Sequence, residues 1–327
     1  MKKLIGEAHA QVVRAKKYIT SSEECEFTLP DKTNLKLTGR SFSRIIPVVI
    51  TLESLDIFNA TLHEVAKTEL LASPELPWVV SLDILRVISE VNEFPTQFIH
   101  YLNRRLRLNE FRKFHAHDEL DWFGLYLENC LYYEEDEEIS KADLISVQSF
   151  TDQFDAFYAY KLGIRKKKAP QPRQKMPHLF RRILHELDEL TQRGHSEAIL
   201  ALLDWGDDAR QDFVRNFETI RERTNQDGKT HNFSFGKRGE SGLTCASDFE
   251  GNFQRRMEQL MMLVSLRKYE QRAGSWLGLL TSVDQSKLIH GCFVDNMPWE
   301  QNPEVAELAT QLLKPLNAGR VMPKTKN

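Results

Sequence analysis

Cysteine is scarce in this 327-residue chain: Cys25, Cys130, Cys245 and Cys292 stand far apart with no C-x-x-C spacing. That pattern excludes a zinc knuckle and a disulfide framework, and leaves reduced, buried thiols. Phosphate-binding glycine loops are also missing. Neither G-x-x-x-x-G-K nor G-x-G-x-x-G occurs, and Gly236-Lys237-Arg238-Gly239 reads as having no buried strand ahead of it. Ser81, Ser241 and Cys245 lack the G-x-S-x-G elbow or cysteine-protease surroundings that nucleophilic catalysis needs. No apolar run approaches the ~18 residues of a membrane span. The apolar start at Leu4-Ile5 is broken at once by Glu7 and His9, which excludes a signal-peptide core. No self-similar period of roughly 20 to 50 residues is present, so a helical solenoid is excluded. These absences leave the cytoplasm as the expected address, with no membrane partner.

The composition is that of a packed protein: 41% of residues are apolar and 10% aromatic. At this length two cores are expected. Charge is divided unevenly along the chain. Residues 1–163 carry 18 basic and 26 acidic side chains, whereas residues 164–327 carry 26 and 21, so the halves sum to -8 and +5. Opposite signs point to different outer partners or to a contact between the halves.

Hydrophobic periodicity predicts the elements. Leu4, Ile5, Ala8, Val12, Ala15 and Ile19 recur at intervals of three and four and predict an amphipathic helix over about 2–20. Cys25 to Leu29 and Asn34 to Thr38 read as a hairpin, and Ile45 to Leu52 as a strand buried on both faces. A helix beginning at Glu53 or Ser54 carries Leu55, Phe58, Leu62 and Val65. Trp78 to Leu82 reads as a further strand, running into a helix capped by Ser81 or Asp83, and helices follow at Ile84–Val91, Pro95–Leu106 and Asp118–Leu131. The acidic run Glu134 to Glu138 reads as a solvated connector. Further on, helices are expected at Leu179–Leu190, Ser196–Leu203, Asp207–Arg223, Gly251–Ala273 and Pro303–Leu316, with a loop or irregular β-ribbon at 225–247. The fold class is therefore α+β and helix-rich, a small N-terminal β-containing part followed by a mainly helical region. The expected division is 1–163, a basic linker at 164–176 whose prolines and charges form no packed element, and 177–327.

Three clusters are candidates for chemistry. Arg165, Lys166, Lys167, Lys168, Arg173, Lys175, Arg181 and Arg182 place eight positive charges in eighteen residues without a carboxylate. Such a stripe can track nucleic-acid phosphates, DNA or RNA, or serve as a solvated linker that docks on the 134–138 run. His115, His117, Asp118 and Asp121 have metal-ligand chemistry, but Asp118 reads more simply as a helix cap, with Glu119 and Asp121 complementing the helix dipole. Trp78, Trp122, Trp205, Trp276 and Trp299 sit beside Pro, Phe or Leu and read as core anchors.

The segment Leu4 to Ile19, followed by the hairpin and Pro47-Val48-Val49-Ile50-Thr51, resembles the C-terminal part of a restriction-endonuclease-like core of the PD-(D/E)xK superfamily. The resemblance implies that Gln11 and Arg14 face a nuclease site, and that the protein is a bacterial nucleic-acid-associated one concerned with defence or repair. In that family an Asp strand and an E-x-K strand precede this helix, and neither precedes Leu4 here. No cofactor is evident in the chain, and Mg²⁺ is expected only if upstream sequence supplies those strands. Two rival readings stand: a non-catalytic interaction subunit or dimer assembled through residues 1–56, and a metal-dependent hydrolase using the His115–Asp121 cluster.

Overall fold

The computed structural model describes residues 2–39, 42, 44–53, 75–111, 113–133, 141–248, 252–284 and 286–317. The helix expected near residues 53–65 and the acidic run 134–138 lie outside these residues. Among the described residues the protein is α+β and helix-rich, with ten helices and ten strands. It divides into two compact units: Met1–Glu93 with Phe98–Lys175, and Phe94–Gln97 with Met176–Asn327.

The first unit opens with α1 (Lys2–Ser21). A hairpin follows, β1 (Cys25–Thr28) on β2 (Asn34–Leu37), antiparallel from Cys25 opposite Leu37 to Thr28 opposite Asn34. Next, β3 (Val48–Thr51) pairs in parallel with β4 (Trp78–Ser81). The apolar stripe of α1 covers this pair, Ala8 and Val12 packing on Val49 and Val79. The strand is shorter than the sequence predicts and is not buried on both faces: Val49 is buried, whereas Ile50 is 53% exposed. Alternation explains the difference, because a strand covered by one helix buries only every second residue.

From β4 the chain enters α2 (Leu82–Val91), whose first turn is capped by the Ser81 hydroxyl. Then come α3 (Pro95–Phe111), β5 (Phe114–Ala116), α4 (Glu119–Asn129), β6 (Ile145–Val147) and α5 (Asp152–Lys161), with β5 and β6 parallel. The short strands β5 and β6 and helix α5 are not evident in the sequence pattern. Trp78, Tyr101, Trp122, Phe123, Tyr126 and Phe154 share one core with Val80 and Ile88. Gly124 lets α4 approach the 150 region closely, since a Cβ there would sit 2.5 Å from the Phe150 carbonyl oxygen.

The second unit contains α6 (His178–Asp188), α7 (His195–Leu203), α8 (Asp207–Asp227), α9 (Phe253–Gln271) and α10 (Pro303–Asn317). It also contains the largest sheet among the described residues, which the sequence pattern understates. Strands β7 (His231–Gly236), β8 (Ser241–Asp248), β9 (Ser275–Ser282) and β10 (Ile289–Asp295) lie in the order β10-β9-β8-β7. The stretch expected to be an irregular ribbon is a regular antiparallel hairpin, and β8 to β9 is a parallel step crossed by α9. Gly236 is thus preceded by a strand, half-buried and leading into another strand rather than a helix, so the phosphate-loop architecture is still absent. Gly242 supplies the close contact behind the Trp276 ring, where a Cβ would lie 2.4 Å from ring carbons. The core of this unit is Phe180, Ile183, Leu184, Ile199, Phe213 and Phe217 against Leu243, Leu277 and Leu279. All four cysteines are buried, and none is in a disulfide.

Candidate nucleic-acid interface

The basic segment begins where α5 ends. Gly163 turns the chain in the left-handed region at φ +74°, and the Arg165 amide returns to the Ala159 carbonyl at 2.9 Å. From Ile164 to Lys168 every residue is exposed. Beyond, the chain has no regular hydrogen-bonded structure, yet it is not the free linker that its composition predicts. Ala169, Pro172 and Gln174 turn inward and are buried, while Lys168, Pro170, Arg173 and Lys175 stay exposed. The anchors are specific. Gln174 donates from Nε2 to Cys130 Sγ at 2.6 Å, Gln171 donates to the Glu90 carbonyl at 3.2 Å, and the Lys175 amide donates to the Leu127 carbonyl at 3.3 Å. Proline suits such a segment, because an extended chain lying on a surface needs no further N–H partner at those positions.

The predicted stripe therefore divides. Arg165, Lys166, Lys167, Lys168 and Arg173 are exposed and make no ion pair among the described residues. Lys175 lies 3.9 Å from Glu128. Arg181 and Arg182 belong to the second unit, on α6, and both are partly buried. Arg182 is engaged internally, with Nε 2.9 Å from Glu186 and a second nitrogen donating to the Ser286 carbonyl at 3.2 Å. Gln11 and Arg14 are one turn apart on α1, and both are exposed. On the opposite side of that helix His9 is buried, its Nε2 3.1 Å from the Glu75 carbonyl, and burial lowers its pKa.

The histidine–aspartate cluster does not converge on a common point. His115 lies on β5, so the segment is a strand before it becomes a helix, and His117 is exposed in the turn that follows. Asp118 caps α4, accepting from the Asp121 amide at 2.9 Å. Asp121 in turn accepts from the Phe150 amide at 3.0 Å. Both carboxylates are thus already committed to backbone donors, and among the described residues no group of three His, Cys, Asp or Glu could hold a metal ion. Nor is any described helix long and apolar enough to cross a membrane.

A residue that sequence reasoning missed sits within this cluster. Glu119 is fully buried at the centre of the first core. Its carboxylate accepts from Trp78 Nε1 at 2.8 Å, from the Tyr101 hydroxyl at 2.5 Å and from Arg105 Nε at 3.1 Å. The Arg105 guanidinium also lies 4.7 Å from the centroid of Trp122. Burial, followed by the Glu119 charge, holds the Tyr101 hydroxyl well above its usual pKa, so it stays a donor. With these three donors pointed at one carboxylate, the constellation ties β4, α3 and α4 together inside the core. In the sequence Glu119 looks like any acidic residue in a first helical turn, and its partners are 41, 18 and 14 residues away. No protein-family model, curated protein or solved structure matches this chain, so its own chemistry carries the functional reading.

Proposed function

We propose that the protein binds nucleic acid through its phosphate backbone, using the segment from Arg165 to Arg173. The observation that supports this is a row of five exposed cations on a tethered chain. Arg165 to Lys168 form a fully exposed run, held before it by the Arg165 amide on the Ala159 carbonyl and after it by Gln171 and Gln174. Arg173 is exposed between those two anchors, and none of the five has an acidic partner among the described residues. Fastening the backbone lowers the ordering cost of binding, which a free linker would incur in full. Lysines position the duplex and do not read bases, so the contact is independent of sequence. The nuclease-like reading of residues 1–52 fits the same role: α1 packs on parallel strands with Gln11 and Arg14 left exposed. Its catalysis, and any Mg²⁺, would depend on strands that these residues do not supply.

Titrating a labelled 20–30-base-pair duplex at several salt concentrations tests the proposal. Each phosphate neutralised contributes a slope of about 0.9 in log K against log salt. Changing Lys166, Lys167 and Lys168 together to Ala is expected to weaken binding about tenfold or more at low salt and to shrink that slope, while leaving folding intact. Identical curves for the parent and triple variant, or no binding by either, would remove this reading.

One observation favours a second reading, an interaction subunit docking through residues 1–56. The β3–β4 sheet has two strands among the described residues, with Ile50 of β3 53% exposed and Leu52, just past its end, 86% exposed. An apolar open edge recruits another chain. Sedimentation at rising concentration separates the two: a dimer lost in Ile50→Lys, with duplex binding unchanged, favours this alternative.

A further inference from the structure

The second unit contains a cleft that the basic segment does not involve. Its volume is about 530 Å³, within the size range of small-ligand sites. The turn between β7 and β8, the end of α9, the segment before α10 and the first turns of α10 form its walls.

Two arginines enter this cleft from fixed backbone. Arg238 rides on the β7–β8 turn, which is tied to the end of α9 twice: the Gly239 amide donates to the Gln271 carbonyl at 2.9 Å, and the Gly274 amide to the Glu240 carbonyl at 2.8 Å. Arg272 closes α9 in the left-handed conformation at φ 53°, with its guanidinium carbon 5.5 Å from the Trp299 ring centroid. Neither guanidinium has an ion-pair partner among the described residues. Glu270, the acidic residue in the lining, is paired with Arg267 at 3.1 Å. Trp299 is held in turn, donating from Nε1 to the Tyr269 carbonyl at 3.2 Å with the Tyr269 ring 5.5 Å away. Ala306 and Ala309 of α10 line the cleft with small side chains, and Thr310 adds a hydroxyl.

We propose that this cleft binds a nucleoside phosphate, the phosphate between Arg238 and Arg272 and the base against the Trp299–Tyr269 side. A guanidinium fork matches phosphate oxygens two at a time, and stacking on an aromatic ring keeps that fork oriented before the ligand arrives. Aromatic walls accept any base because every base has a π face. The ligand is either a free mononucleotide or the phosphorylated end of a strand.

Calorimetric titration of the full chain with adenosine 5′-monophosphate, adenosine and inorganic phosphate tests the site. The monophosphate is expected to bind at least about tenfold more tightly than either fragment, because each keeps half of the contacts. Arg238→Gln and, separately, Arg272→Gly should each weaken it about tenfold. Glycine suits the left-handed position, so the second variant keeps the helix end, and circular dichroism checks both. Two oligonucleotides, one 5′-phosphorylated and one 5′-hydroxyl, identify the source when titrated into the Lys166, Lys167, Lys168 triple-Ala background. Tighter binding of the phosphorylated one that is lost in Arg238→Gln assigns a strand end; no difference between them, with the monophosphate bound, assigns a free nucleotide. Failure of both the monophosphate and the phosphorylated end to bind, or binding that folded Arg238→Gln and Arg272→Gly leave unchanged, overturns the proposal.

Discussion

In the unit that contains α4, an ion pair occupies the middle of the core: Glu119 and Arg105 have side chains 0% and 5% exposed, ringed by Trp78, Tyr101 and Trp122. In the unit that contains the four-stranded sheet, the core is built of Phe, Leu and Ile side chains, and a largely buried pair lies at its rim. There Lys268 and Asp295 are 2.6 Å apart with side chains 6% and 16% exposed. Charge buried at the sheet's end is handled without a carboxylate, as Arg221 donates to the carbonyls of Ser282 and Asp284 at 2.7 and 2.8 Å. The difference is one of consequence. A central ion pair, once broken, strands a charge that water cannot reach, whereas a rim pair can be rehydrated.

The largest effect should come from breaking the central pair. Glu119→Ala is expected to cost about 3–5 kcal/mol, since the Arg105 guanidinium would stay buried with the facing carboxylate gone. Asp295→Ala should cost less, about 1–3 kcal/mol, because Lys268 keeps the Met297 carbonyl as an acceptor. Urea denaturation ranks the two, and equal losses would erase the contrast between core and rim.

Next come the two glycines that permit close packing. Gly124→Ala and Gly242→Ala should each cost about 1–3 kcal/mol through overpacking. The first should be the larger, because a backbone carbonyl opposes it, whereas a ring opposes the second. That ring is not free, since Trp276 Nε1 donates to Thr244 Oγ1 at 2.9 Å. A near-neutral Gly242→Ala would show that the ring nevertheless swings aside, and near-ultraviolet dichroism would register the change.

A smaller effect separates cap from ligand within the first unit. Asp118→Ala should cost about 1 kcal/mol through loss of the α4 cap. Replacing His115 and His117 together by Ala should leave metal content unchanged, measured on the purified protein by elemental analysis. Stoichiometric zinc or manganese that vanished with the histidines would restore the hydrolase reading.

The smallest effect is pH dependence, and here the units should behave alike. Burial lowers the pKa of His9 in one unit and of His290 in the other, below the ordinary 6.5. A histidine with a lowered native pKa contributes its full stability above the unfolded value and loses it as pH falls through 6.5, when the unfolded chain takes up the proton first. Melting temperature should therefore decline from pH 7.5 toward pH 5.5, on the order of a few degrees, and His9→Gln should flatten part of the slope. A flat profile in the parent would contradict it.

Where a single helix or strand decides a residue's fate, the sequence was readable. The apolar spacing of α1, the Ser81 and Asp118 caps and the hairpin turn between β1 and β2 depend on neighbours a few residues away, and the structure has each in place. Legibility failed where partners are distant. Strands β9 and β10 have runs of apolar residues that periodicity cannot tell from a buried helix, and only pairing with β8 makes them a sheet. Charge was misleading in the same way at 164–176, because the anchors Ala169, Pro172 and Gln174 are ordinary loop residues until Cys130 and Leu127 come near.

What the sequence determined by itself is the α+β class, the caps and the existence of a dense basic run, since each follows from residue type and local spacing. Only the tertiary structure decided which cations face outward, that Glu119 anchors a core, and that Arg238 meets Arg272 and Trp299 at one cleft. Those depend on residues far apart in the chain, and proximity across such distances is set by packing of the whole unit.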